Sequence, residues 1–135
     1  MTSNMSESNT VHLEFEIRIL IRHPTIDPLE ITNELSVDPD HFWKVGEQRK
    51  TPRGRALGRL NKFSMWSKSF VFKNERNFFH RMSNTIELFE DNKEFVEKLI
   101  NSGGTIHLNA ELSGRRNIGD VLSWENLRRL ADLKI

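Results

Sequence analysis

The sequence predicts an α+β domain of ferredoxin-like type: a split βαβ sandwich with a mainly antiparallel sheet, helices on one face, and an extra C-terminal strand and helix. Three observations carry this. A segment near the start alternates apolar and polar residues with period two, later segments space apolar residues as helices do, and the elements run strand, helix, strand, strand, helix, strand.

The alternating segment spans residues 11–21. Val11, Leu13, Phe15, Ile17, Ile19 and Ile21 point one way while His12, Glu14, Glu16 and Arg18 point the other, so one face is buried and the other wet. Asp27-Pro28-Leu29-Glu30 then supplies an N-cap acid, a proline at the first helical position and a glutamate placed to close a capping box. Ile31 and Leu35 share the inner face of this short helix, and Pro39 requires it to end by about Asp38. A short strand follows at 41–45. The stretch 46–61 reads as a connection, because Pro52, Gly54 and Gly58 stand among charges, and it leads to an aromatic-rich strand at 63–72. The two strands would form a hairpin with a long tip.

From 75 to 89, Phe78, Phe79, Met82, Ile86 and Phe89 fall at helical spacing, and Phe95, Val96, Leu99 and Ile100 continue the stripe. Asp91-Asn92-Lys93-Glu94 looks like a second capping box, which predicts two helices or one kinked helix, stopped by Gly103 and Gly104. Ile106, Leu108, Ala110 and Leu112 mark another half-buried strand. Residues 118–122 read as a returning strand, and Ser123 caps a last helix carrying Trp124, Leu127, Leu130 and Ala131.

The totals restrict the class of protein. The chain has 135 residues, 36% hydrophobic and 29% charged, with a formal charge of +1 and no cysteine, which suits one domain over 11–135 behind a polar, disordered tail at 1–10. A disulfide scaffold is excluded. No apolar run approaches the roughly 20 residues of a bilayer span, and the start lacks a signal-peptide pattern, so no membrane association and a cytoplasmic location are expected.

The five histidines, His12, His23, His41, His80 and His107, show no i, i+4 pairing and no cysteine neighbours, so no metal is expected. Neither a phosphate-binding glycine loop nor a nucleophile-elbow serine occurs. The expectation is a protein that is not an enzyme and uses no cofactor.

Charge is unevenly distributed. Lys44, Arg49, Lys50, Arg53, Arg55, Arg59 and Lys62 face only Glu47 within 44–62, a window of +6 that leaves −5 for the rest. The sequence therefore points to a binding surface made of Trp43, Lys44, Glu47, Arg49, Lys50, Arg53, Arg55, Arg59 and Trp66, with the two indoles facing each other at the loop's root. An acidic protein partner suits this surface best, in an inhibitor-like or immunity-like role that needs no catalytic motif. Nucleic acid or another phosphate ligand is the alternative, disfavoured because Glu14 and Glu16 occupy the wet strand face. A monomer or a weak homodimer is expected.

The order Asp27-Pro28-x-Glu30-Ile31-Thr32-x-x-Leu35, Pro39, Trp43-x-x-Gly46-Glu47, Trp66 and Leu127-x-x-Leu130-Ala131-x-Leu133 resembles the DUF4279 family. The resemblance covers Leu13 to Leu133 and implies a small intracellular bacterial domain of unknown function, with no catalytic residue to carry over. Two departures stand out: Met65 precedes Trp66 where similar proteins often have glycine, and the chain stops at Lys134-Ile135 where they commonly add a strand.

Overall fold

A computed structural model describes residues 14–73, 77–113 and 123–135. The expected tail at 1–10, the start of the first strand and the returning strand at 118–122 lie outside the described residues. Among those described, the order is β1 (Glu14–His23), α1 (Pro28–Leu35), β2 (His41–Trp43), β3 (Gln48–Lys50), β4 (Ala56–Leu60), β5 (Ser64–Lys73), α2 (Phe78–Glu90), α3 (Lys93–Asn101), β6 (Thr105–Ser113) and α4 (Trp124–Leu133). Four strands form one sheet in the order β2-β5-β1-β6, and every neighbouring pair is antiparallel. Strands β3 and β4 pair separately as a two-stranded hairpin.

The alternation in β1 sets the layers. Phe15, Ile17, Ile19 and Ile21 are buried and join one cluster with residues of all four helices, including Ile31, Phe89, Val96 and Leu133. Burying each such side chain stabilises the fold by about 1.5–3 kcal/mol. Glu16, Arg18, Leu20 and Arg22 alternate with them on the other face, where Arg18 donates to the Ser69 hydroxyl across the sheet. Ala110, expected on the buried side of β6, is exposed.

Helix ends follow local chemistry. The Asp27 carboxylate accepts the Leu29 N–H, but Glu30 lies 3.9 Å from the Lys98 ammonium on α3. The expected capping box before α3 is not made either: Asn92 stands at the cap, and its side-chain amide donates back to the Leu88 carbonyl. Two glycines end α3 as expected. Gly103 is left-handed at φ 104°, its N–H reaches the Ile100 carbonyl, and the Gly104 N–H reaches that of Leu99. A Cβ on Gly104 would lie 2.7 Å from the Leu99 carbonyl oxygen, so this backbone passes closer than a side chain permits.

The last helix packs differently from its apolar spacing. Trp124, Leu127 and Ala131 are exposed, whereas Asn126 and Leu133 are buried and Leu130 is half-buried. The reason is polar. Arg129 donates through Nε to both Glu90 oxygens at 3.1 Å and through Nη1 to the Ser83 hydroxyl and the Asn126 side-chain oxygen. That contact turns the Arg129 face toward α2 and holds the Glu90 carboxyl below its ordinary pKa, chiefly by hydrogen bonding.

His23, at the end of β1, ties three elements together. Its ring Nδ1 accepts the Thr25 and Ile26 N–H groups, which requires the neutral ring with the proton on Nε2. Nε2 then donates to the Ser102 hydroxyl at 2.7 Å, and that hydroxyl in turn donates a hydrogen bond to the Lys98 carbonyl. Burial lowers the His23 pKa from its ordinary 6.5, opposed by the Glu30 charge. Because the folded value is the lower one, this contribution to stability is complete above pH 6.5 and is lost as pH falls from there through the folded pKa. The urea midpoint of the wild type should drop between pH 7.5 and 5. In His23→Gln it should start lower and change less over that interval; equal slopes in the two proteins would contradict the assignment.

Candidate functional site

The segment 46–61 is not an irregular connection, because it contains the β3–β4 hairpin. Its end is closed by the Gly54 N–H on the Thr51 carbonyl and the Arg55 N–H on the Thr51 hydroxyl, with Pro52 inside the turn and Gly54 left-handed. Every residue of β3 and β4 is exposed. Ladder hydrogen bonds and turn chemistry alone shape this arm, so it leaves no apolar alternation in the sequence.

The root of the arm is built by the Trp43-x-x-Gly46-Glu47 residues. Glu47 N–H bonds the Lys44 carbonyl across a tight turn whose third residue, Gly46, sits at φ 84°, as a type II turn requires. The Glu47 carboxylate accepts the Lys44 N–H at 3.0 Å, which commits it to the turn rather than to a loop arginine. Across the root, Gly46 and Glu47 exchange backbone bonds with Asn61, whose buried amide also donates to the Lys44 carbonyl. Below it the buried Ser64 hydroxyl accepts the Val45 N–H and donates to the Ile26 carbonyl. These bonds fasten the arm to the edge of the main sheet and to the entry of α1.

The two indoles do not face each other. In the β2–β5 register Phe42 pairs with Trp66 and Trp43 with Met65, and directly opposed residues share a face, so Trp43 and Trp66 lie on opposite sides of the sheet. Trp66 is 0% exposed, and its indole N–H donates to the Thr32 hydroxyl. It is a core residue and leaves the predicted site. Trp43 stands on the face away from the helices, half-buried, with its N–H on the Phe63 carbonyl at 3.0 Å and its ring centroid 6.1 Å from that of Phe63. The Arg22 guanidinium lies 5.4 Å from the Phe63 centroid. The aromatic pair is therefore Trp43 with Phe63, and neither Phe63 nor Arg22 was among the predicted site residues.

Beside this pair the hairpin leaves a cleft of about 480 Å³, lined by Trp43, Phe63, Leu60 and the cations Arg49, Arg59 and Lys62. None of these three cations has an ion pair among the described residues. Of the other predicted residues, Lys50 stands on β3 and borders a smaller hollow of about 280 Å³ with Trp43 and Arg49. Arg53 and Arg55 occupy the exposed end of the arm. Lys44 turns toward α1, 3.6 Å from the Asp27 carboxylate. The site gathers positive charge around a fixed aromatic wall, which suits an anion carrying a flat or apolar group. No grouping of histidine, cysteine and acidic side chains able to hold a metal occurs among the described residues. No helix among them is long and apolar enough to cross a membrane.

The positive field in this cleft has a direct optical readout. With Trp124 changed to phenylalanine and Trp66 buried, Trp43 becomes the quenchable indole. Iodide should quench it while caesium does not, and the triple change Arg49→Ala/Arg59→Ala/Lys62→Ala should reduce the iodide effect about two-fold at low salt. Equal quenching by the two ions would show that the cations do not act at the ring.

The family model described as "Domain of unknown function (DUF4279)" matches residues 10–135. No curated protein and no solved structure matches the chain. The Gly46 turn, the Glu47 bond that closes it and the Trp43 anchor give physical roles to the residues by which the sequence resembles that family, and with nearly its whole length matched the chain belongs to the DUF4279 family.

Proposed function

We propose that the protein is a non-enzymatic binding domain that engages an acidic protein surface through its basic hairpin, with the Trp43–Phe63 cleft as the anchoring pocket. One observation carries the reading: Arg49, Arg59 and Lys62 line one cleft, with no ion pair among the described residues, beside an aromatic wall held by the Trp43–Phe63 hydrogen bond. Cations already gathered beside the ring cost little reorganisation on binding, and an aspartate or glutamate next to an apolar side chain suits such a cleft. An inhibitor-like or immunity-like role is consistent with such a surface, since blocking a partner needs contact and no chemistry.

The architecture belongs to the same proposal. The order β2-β5-β1-β6 with antiparallel neighbours supports a ferredoxin-like arrangement, in which β3–β4 is an insertion between the second and third strands of the sheet and α4 an addition. Within it, the face away from the helices is cationic at the hairpin end and at the other carries Glu16 and Glu111 as register partners across β1 and β6, with Arg18 3.5 Å from Glu16. A nucleic-acid strand laid along that face would meet those carboxylates, so a short acidic segment is favoured over a phosphate backbone.

The test is fluorescence anisotropy with a labelled acidic peptide containing phenylalanine, set against a single-stranded oligonucleotide of equal charge. The peptide should bind more tightly at matched salt, and Arg49→Ala/Arg59→Ala/Lys62→Ala should weaken it about ten-fold or more. Unchanged peptide affinity in the triple variant, or preference for the oligonucleotide, would overturn the proposal.

A further inference from the structure

A second concavity lies on the other side of the arm's root, between the start of α1 and the edge strand β2. It measures about 420 Å³, with Leu29 and Phe42 as its large apolar lining, Asp27, Asp38 and Glu47 as its acids, and Lys44 beside Asp27. Leu29 is 62% exposed and Phe42 65%, although both are large apolar side chains. Phe42 shares a sheet face with the buried Trp66, yet β2 is the sheet's edge and the ring stays uncovered. Such paired exposure beside carboxylates marks a surface for a basic, partly apolar segment.

The arm itself is a segment of that kind. It displays Lys50, Arg53 and Arg55 without ion pairs among the described residues, together with the exposed Leu57. The arm and the groove adjoin at residues 44–48, since Lys44 and Glu47 line the groove and β3 begins at Gln48. One edge of the molecule thus carries both halves of a complementary contact: a groove lined by three carboxylates and one lysine, and an arm whose tip presents Arg53 and Arg55.

We infer that the protein forms a two-fold homodimer by exchanging arms, each basic hairpin lying in the acid-rimmed groove of the other copy. Because arm and groove are neighbours, a two-fold axis beside the root satisfies both contacts at once and closes the assembly, so it does not grow into a chain. The inference rests on the reading of the hairpin as a docking element and names a second copy as the acidic surface it meets. The tip residues Arg53 and Arg55 make this contact, distinct from the Arg49, Arg59 and Lys62 cleft.

Sedimentation velocity over a concentration series at low ionic strength should show the 15.9 kDa protomer doubling in mass, and added salt should dissociate it. An arm variant, Arg53→Glu/Arg55→Glu, and a groove variant, Leu29→Arg/Asp38→Arg, change exposed side chains; circular dichroism will confirm that each stays folded. Each alone should raise the dimer dissociation constant about ten-fold or more. Mixed together they should pair again, since reversed arm meets reversed groove and native arm meets native groove. A protomer that stays monomeric throughout, a dimer untouched by both variants, or a mixture that fails to pair would each overturn the inference. The acidic-peptide titration separates the two readings: a monomer that still binds the peptide through Arg49, Arg59 and Lys62 loses arm exchange and keeps the proposed function.

Discussion

The structure depends first on strand β1 being paired along both sides. A strand with neighbours on each flank imposes its own alternation on them, because opposed residues in an antiparallel ladder share a face. Phe15, Ile17, Ile19 and Ile21 therefore decide more than their own burial. They fix that Ile106 on β6 and Phe70 and Phe72 on β5 turn toward the helices, and that Arg22, Met65 and Trp43 line up in one row on the far side. The cleft exists on that row because the helices are committed to the opposite one. A one-residue slip of β5 against β1 would turn Met65 toward the helices in place of Trp66 and move the largest side chain of the core to the far face.

The second constraint is the root of the arm. A hairpin whose strands bury nothing has no packing to orient it, so its direction is set where it leaves the sheet. Asn61, Ser64 and the Gly46–Glu47 turn do this with short bonds at buried or half-buried atoms, where an unmade hydrogen bond would cost about 1–3 kcal/mol. The same turn separates two surfaces of opposite character, a cationic aromatic cleft on one side and an acid-rimmed apolar groove on the other. The Lys44–Asp27 contact is exposed and worth little by itself. It draws Lys44 toward the groove and away from the cations of the cleft.

Legibility in the sequence followed burial. Strand β1, helix α1, the α2–α3 pair and most of β6 were readable because half of each is buried and its apolar spacing shows it. The arm was not, since turn residues and charges look the same in a loop and in an exposed hairpin. The basic window still located the candidate site through Arg49, Arg59 and Trp43, because clustered charge is a property of composition. The pairing of the indoles was out of reach, as it turns on a single step of register between β2 and β5. Helix α4 misled for a different reason: Arg129 bonds to Glu90 and Ser83 across helices, and that contact outweighs the apolar spacing of Trp124 and Leu127. His23 gave no signal either, because its partners are two backbone N–H groups and a serine 79 residues away.

An arm built in this way has an energetic consequence for binding. An isolated two-stranded hairpin is marginal in water, and net gains of about 1 kcal/mol per ladder bond barely offset the ordering of its residues. With β3 and β4 exposed throughout, the arm should open locally at far lower free energy than the sheet, and its amides should exchange with solvent well before those of β1. Clustered like charges add repulsion that an acidic surface would relieve. In the proposed contact the closed hairpin is the binding form, so affinity would depend on ionic strength twice: through attraction to the partner and through the repulsion that the partner would relieve. The tight root limits the cost, because it already holds the first and last residues of the arm in place before any partner arrives.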